Sequence, residues 1–392
     1  MLILRNIAHL VVNAHTVLEN VDLLVEDGHI LDIGRRLKAP PDAETLDCAG
    51  CAVLPGFVNA HTHLYQTLLA GRRDDLPLSG WCDRILVPCI NALYAEPDQA
   101  KRERRAYVWT AVGICEMLRS GVTTFLDMDL NYGQDGMFQA ANDANIRGYF
   151  GVELADRFLP DDETGLAQDF REIDRLLAAH PGNCVLTPSE PNLCSDEALR
   201  RTAELIKQSA PFLQIHVDET AAEAKQCISE RGCTELELLD RFGFLTPWFS
   251  AVHGVHLSER EIRLAALYGV TVVFNPKSNA KLGSGVCPVP ALREAGIHLA
   301  LATDGPASND RLDLFEEMRA GVLTQKSATK DASSLTAQDV FHMATRGGAR
   351  MLMLDAGKLK KGSLADFSVV PLNKARFSFG TGDTIATLVY CA

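Results

Sequence analysis

Four short runs of this sequence carry side chains able to bind a metal: Asn59-Ala60-His61-Thr62-His63, Gln214-Ile215-His216-Val217-Asp218-Glu219, Ala251-Val252-His253-Gly254 and Leu301-Ala302-Thr303-Asp304-Gly305. His61 and His63 are two apart, so on a strand they point to the same side and form a chelating pair. His216 would add a third nitrogen and Asp304 an oxygen. Three imidazoles and a carboxylate suit zinc, and also iron or manganese. Each histidine alone says little, because core histidines are common. The coincidence is that every run follows an apolar stretch. A bound divalent ion lowers the pKa of water from about 16 toward 7, which makes hydrolysis feasible at neutral pH. Glu219, three residues past His216, can carry protons; its other reading is an acid at a helix N-terminus. His253 can hydrogen-bond an oxygen that becomes a carbonyl, and Asp304 can take a proton from the attacking water.

Such groups must be brought to one place. From Val53 onward, short apolar runs alternate with segments of helical spacing such as Ala106–Arg119, Leu199–Ala210 and Ser258–Leu267. The expected strands are Ala52–Ala60, Val122–Asp127, Gly148–Leu154, Cys184–Thr187, Phe212–Val217, Phe249–His253, Val270–Asn275 and His298–Thr303. The runs are continuous rather than alternating, as for parallel strands buried on both faces. Eight such β-then-α units predict a (β/α)8 TIM barrel, whose catalytic groups sit at the C-terminal ends of the strands. Residues 1 to about 53 read as short strands, with hairpin chemistry at Glu26-Asp27-Gly28-His29. Ala365–Leu372 and Ile385–Tyr390 are strand-like again. The expected organisation is a small β-sandwich domain from the two chain ends, 1–53 plus 358–392, and a barrel over 54–357.

The chain has 392 residues, 47% of them hydrophobic, enough for a large core. A net charge of −13 disfavours nucleic acid and favours a small-molecule partner. The basic run Lys101-Arg102-Glu103-Arg104-Arg105 reads as a solvated helix face. No apolar stretch reaches bilayer-spanning length, so no membrane partner is expected. Met1–Asn6 lead into a strand-like run rather than a leader, and the eleven cysteines form no regular framework, so a cytoplasmic protein is expected. Cys48-Ala49-Gly50-Cys51 reads as a structural turn. Self-association is left open.

The runs Leu54-Pro55-Gly56-Phe57-Val58-Asn59-Ala60-His61-Thr62-His63, His216-x-x-Glu219, Asn275-Pro276-Lys277-Ser278-Asn279-Ala280-Lys281-Leu282-Gly283 and Thr303-Asp304-Gly305 resemble the amidohydrolase superfamily. Within it they are similar to the deaminase and chlorohydrolase branch. The resemblance implies one metal, zinc first and iron(II) as the alternative, held by His61, His63, His216 and Asp304. It also implies that Glu219 shuttles protons and that His253 assists the attack. Two-metal members carry a lysine at the end of strand 4, where this chain reads Thr187-Pro188-Ser189-Glu190. The H-x-E…P-C-x-x-C pattern of the unrelated cytidine-deaminase fold is missing, as is a P-loop.

For the substrate, Gln66 matches the H-x-H-x-x-Q pattern of guanine-type deaminases, and its amide can both donate and accept. Ser189 stands where relatives acting on adenosine-like compounds carry a histidine. Trp81 and Tyr65 could stack on a flat ring or simply be core aromatics. The expectation is hydrolytic deamination of a 2-amino bicyclic heterocycle, a pterin such as isoxanthopterin first and 8-oxoguanine second. Guanine or isocytosine deamination, triazine dechlorination and a metal-free scaffold are the alternatives. Family members usually continue into a further hairpin past the last strand, so a small domain ending at Ala392 is expected to be incomplete.

Overall fold

The computed structural model describes residues 1–158, 163–209, 212–372 and 382–392. The chain first lays down β1 (Leu2–Asn13), β2 (Thr16–Glu26) and β3 (His29–Gly34) as an antiparallel meander. The turn between β2 and β3 places Asp27 and Gly28 at φ 47° and 74°, the left-handed backbone that a two-residue hairpin needs. β4 (Glu44–Asp47) and β5 (Cys51–Pro55) then pair parallel to β1. Between them the Cys48–Cys51 segment is the expected turn: Cys51 N donates to Cys48 O (3.0 Å), and both thiols are free.

The expected strand Ala52–Ala60 is in fact two. β5 belongs to the small sheet, and β6 (Phe57–Thr62) opens the barrel. Gly56 makes the step, in a place so tight that a Cβ would collide with the Thr123 side chain. The barrel continues through β7 (Val122–Asp129), β8 (Arg147–Leu154), β9 (Cys184–Pro188), β10 (Phe212–Val217), β11 (Phe249–His253), β12 (Thr271–Phe274) and β13 (His298–Leu301). These eight strands lie side by side in chain order, and each neighbouring pair is parallel. Val58, Leu126, Val185, Val252, Val273 and Ala300 share one interior cluster, closed off by Ala349, Met351 and Leu352. Both faces of each strand are therefore covered, which is why the runs read as continuously apolar.

First and last strands meet through a side chain. Asn59 Nδ2 donates to Thr303 Oγ1 (2.8 Å), while Asn59 Oδ1 accepts from Thr303 N (3.0 Å). Asp304 N donates to His61 O (3.1 Å), so the seam fixes two of the expected ligands against each other.

The basic run lies on the helix Gln99–Arg119, with Lys101, Arg104 and Arg105 exposed as expected of a solvated face. At the far end β14 (Phe367–Pro371) pairs antiparallel with β5 and joins the two ends of the chain. Ile385–Tyr390 departs from its expected strand: it lies within a helix, Thr384–Cys391. Asp383 caps that helix by accepting from Ile385 N and Ala386 N, and the buried Ile385, Leu388 and Val389 follow an i, i+3, i+4 stripe. It packs on the barrel helices Leu314–Thr329 and Ala337–His342. Ala210, the end of an expected helix, and residues 373–381 of the expected small domain lie outside the described residues. Among the described residues no helix is long and apolar enough to cross a membrane.

Candidate active site

The C-terminal ends of the barrel strands bring the expected groups together. His61 Nε2 stands 3.1 Å from His63 Nε2 and 3.2 Å from His216 Nε2. Asp304 Oδ1 lies 3.5 Å from both His61 Nε2 and His63 Nε2. His253 joins the same group of rings, 5.4 Å from His216 between centroids.

What each imidazole does with its other nitrogen decides what this cluster can hold. His61 Nδ1 donates to Gln214 Oε1 (2.7 Å), His63 Nδ1 to Met128 O (2.7 Å) and His216 Nδ1 to Ser189 O (2.6 Å). A neutral imidazole has one N–H, so these bonds leave every Nε2 with a bare lone pair. Burial favours that neutral form, pushing His61 down to about 4 and His216 well below its ordinary value. The close Nε2–Nε2 approaches are therefore not hydrogen bonds. Three lone pairs and a carboxylate converging in a buried space repel one another unless a cation lies among them. The donor set fits a divalent metal ion, with oriented partners behind each ligand.

Asp304 is held from its other side. Its Oδ2 accepts from Ser278 Oγ (2.5 Å) and Ser308 Oγ (3.1 Å), and its Oδ1 from Gly305 N (2.7 Å). His253 Nδ1 donates to Asn279 Oδ1 (2.8 Å), leaving Nε2 3.3 Å from Glu219 Oε2. Burial disfavours a charged His253, yet the Glu219 and Asp304 carboxylates leave its pKa raised. Glu219 Oε1 accepts from Ser284 Oγ (2.9 Å). Its pKa is pushed up to about 7, burial outweighing the neighbouring His253.

These groups open onto a cavity of about 710 Å³. Gln66, Trp81 and Ser189 all line it, as does Tyr65. Gln66 is 2% exposed, and its Oε1 has no hydrogen-bond partner. The amide sits so close to Gly305 that a Cβ there would collide with it. Trp81 also packs on Leu282 and Ala307. Ser189 turns its hydroxyl to Glu153 Oε1 (2.6 Å), so it offers the cavity a hydroxyl–carboxylate pair.

Other members of the site had not been singled out from the sequence. Gln214 lies two residues before His216 on β10 and reaches across to His61, a position that strand periodicity marks. Ser278 and Asn279, inside the run after β12, support Asp304 and His253. Asp127, Met128 and Asp129 end β7: Asp127 Oδ1 accepts from Leu64 N (2.8 Å), Met128 O from His63 Nδ1 (2.7 Å) and Asp129 Oδ2 from Tyr65 N (3.1 Å). The signal for the two aspartates was present, since carboxylates at the C-terminal end of a barrel strand belong at the active face.

Known proteins resemble the chain along its whole length. The model described as the amidohydrolase family matches residues 52–392. A 5-methylthioadenosine/S-adenosylhomocysteine deaminase of Thermococcus kodakarensis is 37% identical over 395 aligned residues, covering 100% of this chain and 90% of that one. A 5′-deoxyadenosine deaminase of Methanothermobacter thermautotrophicus is 38% identical, covering 90% of this chain and 81% of that one. Among solved structures, an adenosine deaminase from Xanthomonas campestris with bound zinc superposes with a TM-score of 0.89 at 31% identity, over 100% of this chain and 89% of that one.

Proposed function

This chain belongs to the amidohydrolase family, and from that premise we propose that it hydrolytically removes the amine of an adenine-type nucleoside altered at its 5′ position. A metal-dependent deaminase acting on a C–N bond is what its relatives share by name and kind. The observation that carries the finer reading is the cavity. Its volume of about 710 Å³ lies well inside the roughly 300–1,000 Å³ range of sites for drug-sized ligands and exceeds what a bare bicyclic ring needs. Beyond the imidazoles, Glu153 with its Ser189 partner can accept from sugar hydroxyls.

His61, His63, His216 and Asp304 would hold one divalent ion, zinc first and iron(II) as the alternative. When bound, it supplies Lewis acidity that brings the ionisation of water toward neutral pH. The remaining work falls to the protein. Glu219, its pKa pushed up to about 7, can deliver a proton to the ring nitrogen, take the proton of the added hydroxyl and pass it to the departing amine, and be recharged by the proton that Asp304 has taken. Asp304 can accept a proton from the attacking water through the oxygen that faces His61 and His63. His253, fixed by Asn279, can donate to the oxygen that becomes the product carbonyl. Ammonia leaves and a carbonyl takes its place.

A second reading keeps the substrate expected from the sequence, isoxanthopterin or 8-oxoguanine. Gln66 favours it: the partnerless Oε1 calls for a ring N–H, which a lactam supplies. The deciding measurement is kcat/KM by ammonia release for 5′-methylthioadenosine, 5′-deoxyadenosine, isoxanthopterin, 8-oxoguanine, guanine and isocytosine, with chloride release from a chlorotriazine. The adenosines should lead. A lead of tenfold or more for isoxanthopterin or 8-oxoguanine would replace the first reading by the second.

A further inference from the structure

Resting on the reading of this cavity as a deaminase substrate site, its wall carries a second piece of information. Glu153, Glu190 and Glu223 line it beyond Glu219 and Asp304, with Asp83 and Asp169 also in the lining; among the described residues no lysine or arginine lines it. Four basic residues stand beside lining positions in the chain: two are engaged elsewhere, and the other two, Arg84 and Lys225, are exposed. Lys281 donates to Asp310 (2.7 Å), and Arg157 pairs with Glu230 (3.1 Å). The acids also act on one another. Burial, followed by the carboxylates of Glu223, Glu235 and Glu219, holds the Glu190 carboxyl well above its ordinary range. In the same cavity Gln66 presents a buried oxygen that lacks a partner, a feature able to hold a ring and so to orient a ligand.

We infer that the site accepts substrates whose substituent remote from the reacting amine is neutral or cationic, and discriminates against a carboxylate or phosphate at that end. An anion there would join carboxyl groups that already oppose one another's ionisation, with no guanidinium or ammonium in the described lining to pair with, and a further negative charge at low effective dielectric is repelled strongly. A thioether, an alkyl group or an ammonium meets no such opposition, and an ammonium gains acceptors. Of the two compounds that name the Thermococcus relative, the one with a methylthio group should be preferred over the one with an amino-acid tail.

The test compares kcat/KM of the metal-loaded enzyme for three kinds of 5′-substituted adenosine. These are 5′-methylthioadenosine and 5′-deoxyadenosine as neutral forms, 5′-amino-5′-deoxyadenosine as a cation, and S-adenosylhomocysteine and adenosine 5′-monophosphate as carriers of an anionic group. The neutral and cationic compounds should fall within about tenfold of one another, and the monophosphate about 10²-fold or more below them. Glu190→Gln with Glu223→Gln should narrow that gap about tenfold. A monophosphate or S-adenosylhomocysteine turned over as well as the neutral compounds by the unaltered enzyme would overturn the inference, whatever the variants do. If adenosines are not substrates and pterins are, pterin against pterin-6-carboxylate puts the same question, so the charge rule and the nucleoside assignment fail separately. Where neither class turns over, Kd values by calorimetry for the same pairs decide it by the same criterion.

Discussion

Glu219 touches Ser284 through one oxygen and His253 through the other, and it faces the cavity. On the proposed mechanism it is the group that must both give and take a proton. Glu219→Gln keeps the shape and both contacts but cannot ionise. The variant should retain its metal, by elemental analysis, and lose about 10²–10⁴ in kcat. Near-normal turnover would remove Glu219 from the mechanism. Gln214 makes the complementary case, because it does not line the site's cavity. Its Oε1 fixes the His61 ring, and its Nε2 is fixed in turn by Ala60 O (3.0 Å) and Ser250 Oγ (3.2 Å). Gln214→Leu leaves all four proposed ligands in place but frees the His61 tautomer, so metal affinity measured against a chelator should fall about 10–100-fold. Activity restored to the unaltered level at saturating metal would place its whole effect in ligand orientation; unchanged affinity would exclude that role.

At the scale of elements, the end of β7 is a clamp. Three consecutive residues, Asp127, Met128 and Asp129, each take one hydrogen bond from the segment His63-Leu64-Tyr65, and Gln66 follows directly. Asp127→Ala would leave Leu64 N buried without an acceptor, which costs about 1–3 kcal/mol. It should raise KM as well as lower stability, because the same segment carries His63 and Gln66; a loss of stability with KM unchanged would confine the clamp to folding. The elements themselves were legible where physics writes them into side chains. Parallel strands covered on both faces must be apolar throughout, so the barrel strands stood out, and histidines ending several of them marked one rim. Where side-chain type carried no contrast, legibility failed. The apolar run from Ala52 to Ala60 crosses from one sheet to another at Gly56 with no change of character. Ile385–Tyr390 is short and apolar enough to pass for a strand, although Asp383 and the spacing of Ile385, Leu388 and Val389 carry the helical signal. The acceptors Met128 O and Ser189 O are backbone atoms and leave no trace in residue type.

At the scale of the whole molecule, an acidic chain of net charge −13 buries several carboxyl groups, and Glu317 shows what that implies for stability. It lies on the helix Leu314–Thr329 and is fully buried. One oxygen accepts from Asn309 Nδ2 (2.7 Å) and the other from Lys277 N (3.2 Å). It thereby ties together the segments after β12 and β13, which supply Ser278, Ser308 and Asp304. Burial raises its pKa to about 8 against the opposing charge of Lys277, compared with an ordinary 4.5. The folded protein therefore keeps a proton that the unfolded chain releases between those two values. Where the unfolded state binds fewer protons, stability falls as pH rises. The contribution of Glu317 is complete below about pH 4.5 and declines toward pH 8. Glutamine in its place cannot ionise and still accepts a hydrogen bond. Glu317→Gln should therefore match the natural protein near pH 5 and exceed it progressively up to pH 8, by at most about 4–5 kcal/mol at roughly 1.4 kcal/mol per pKa unit. Urea unfolding at saturating metal across pH 5–8 measures the difference directly. A difference that stays flat with pH would mean that Glu317 is ionised in the folded protein and paired with Lys277, and that the link between these two active-site segments is an ion pair rather than a protonated acid.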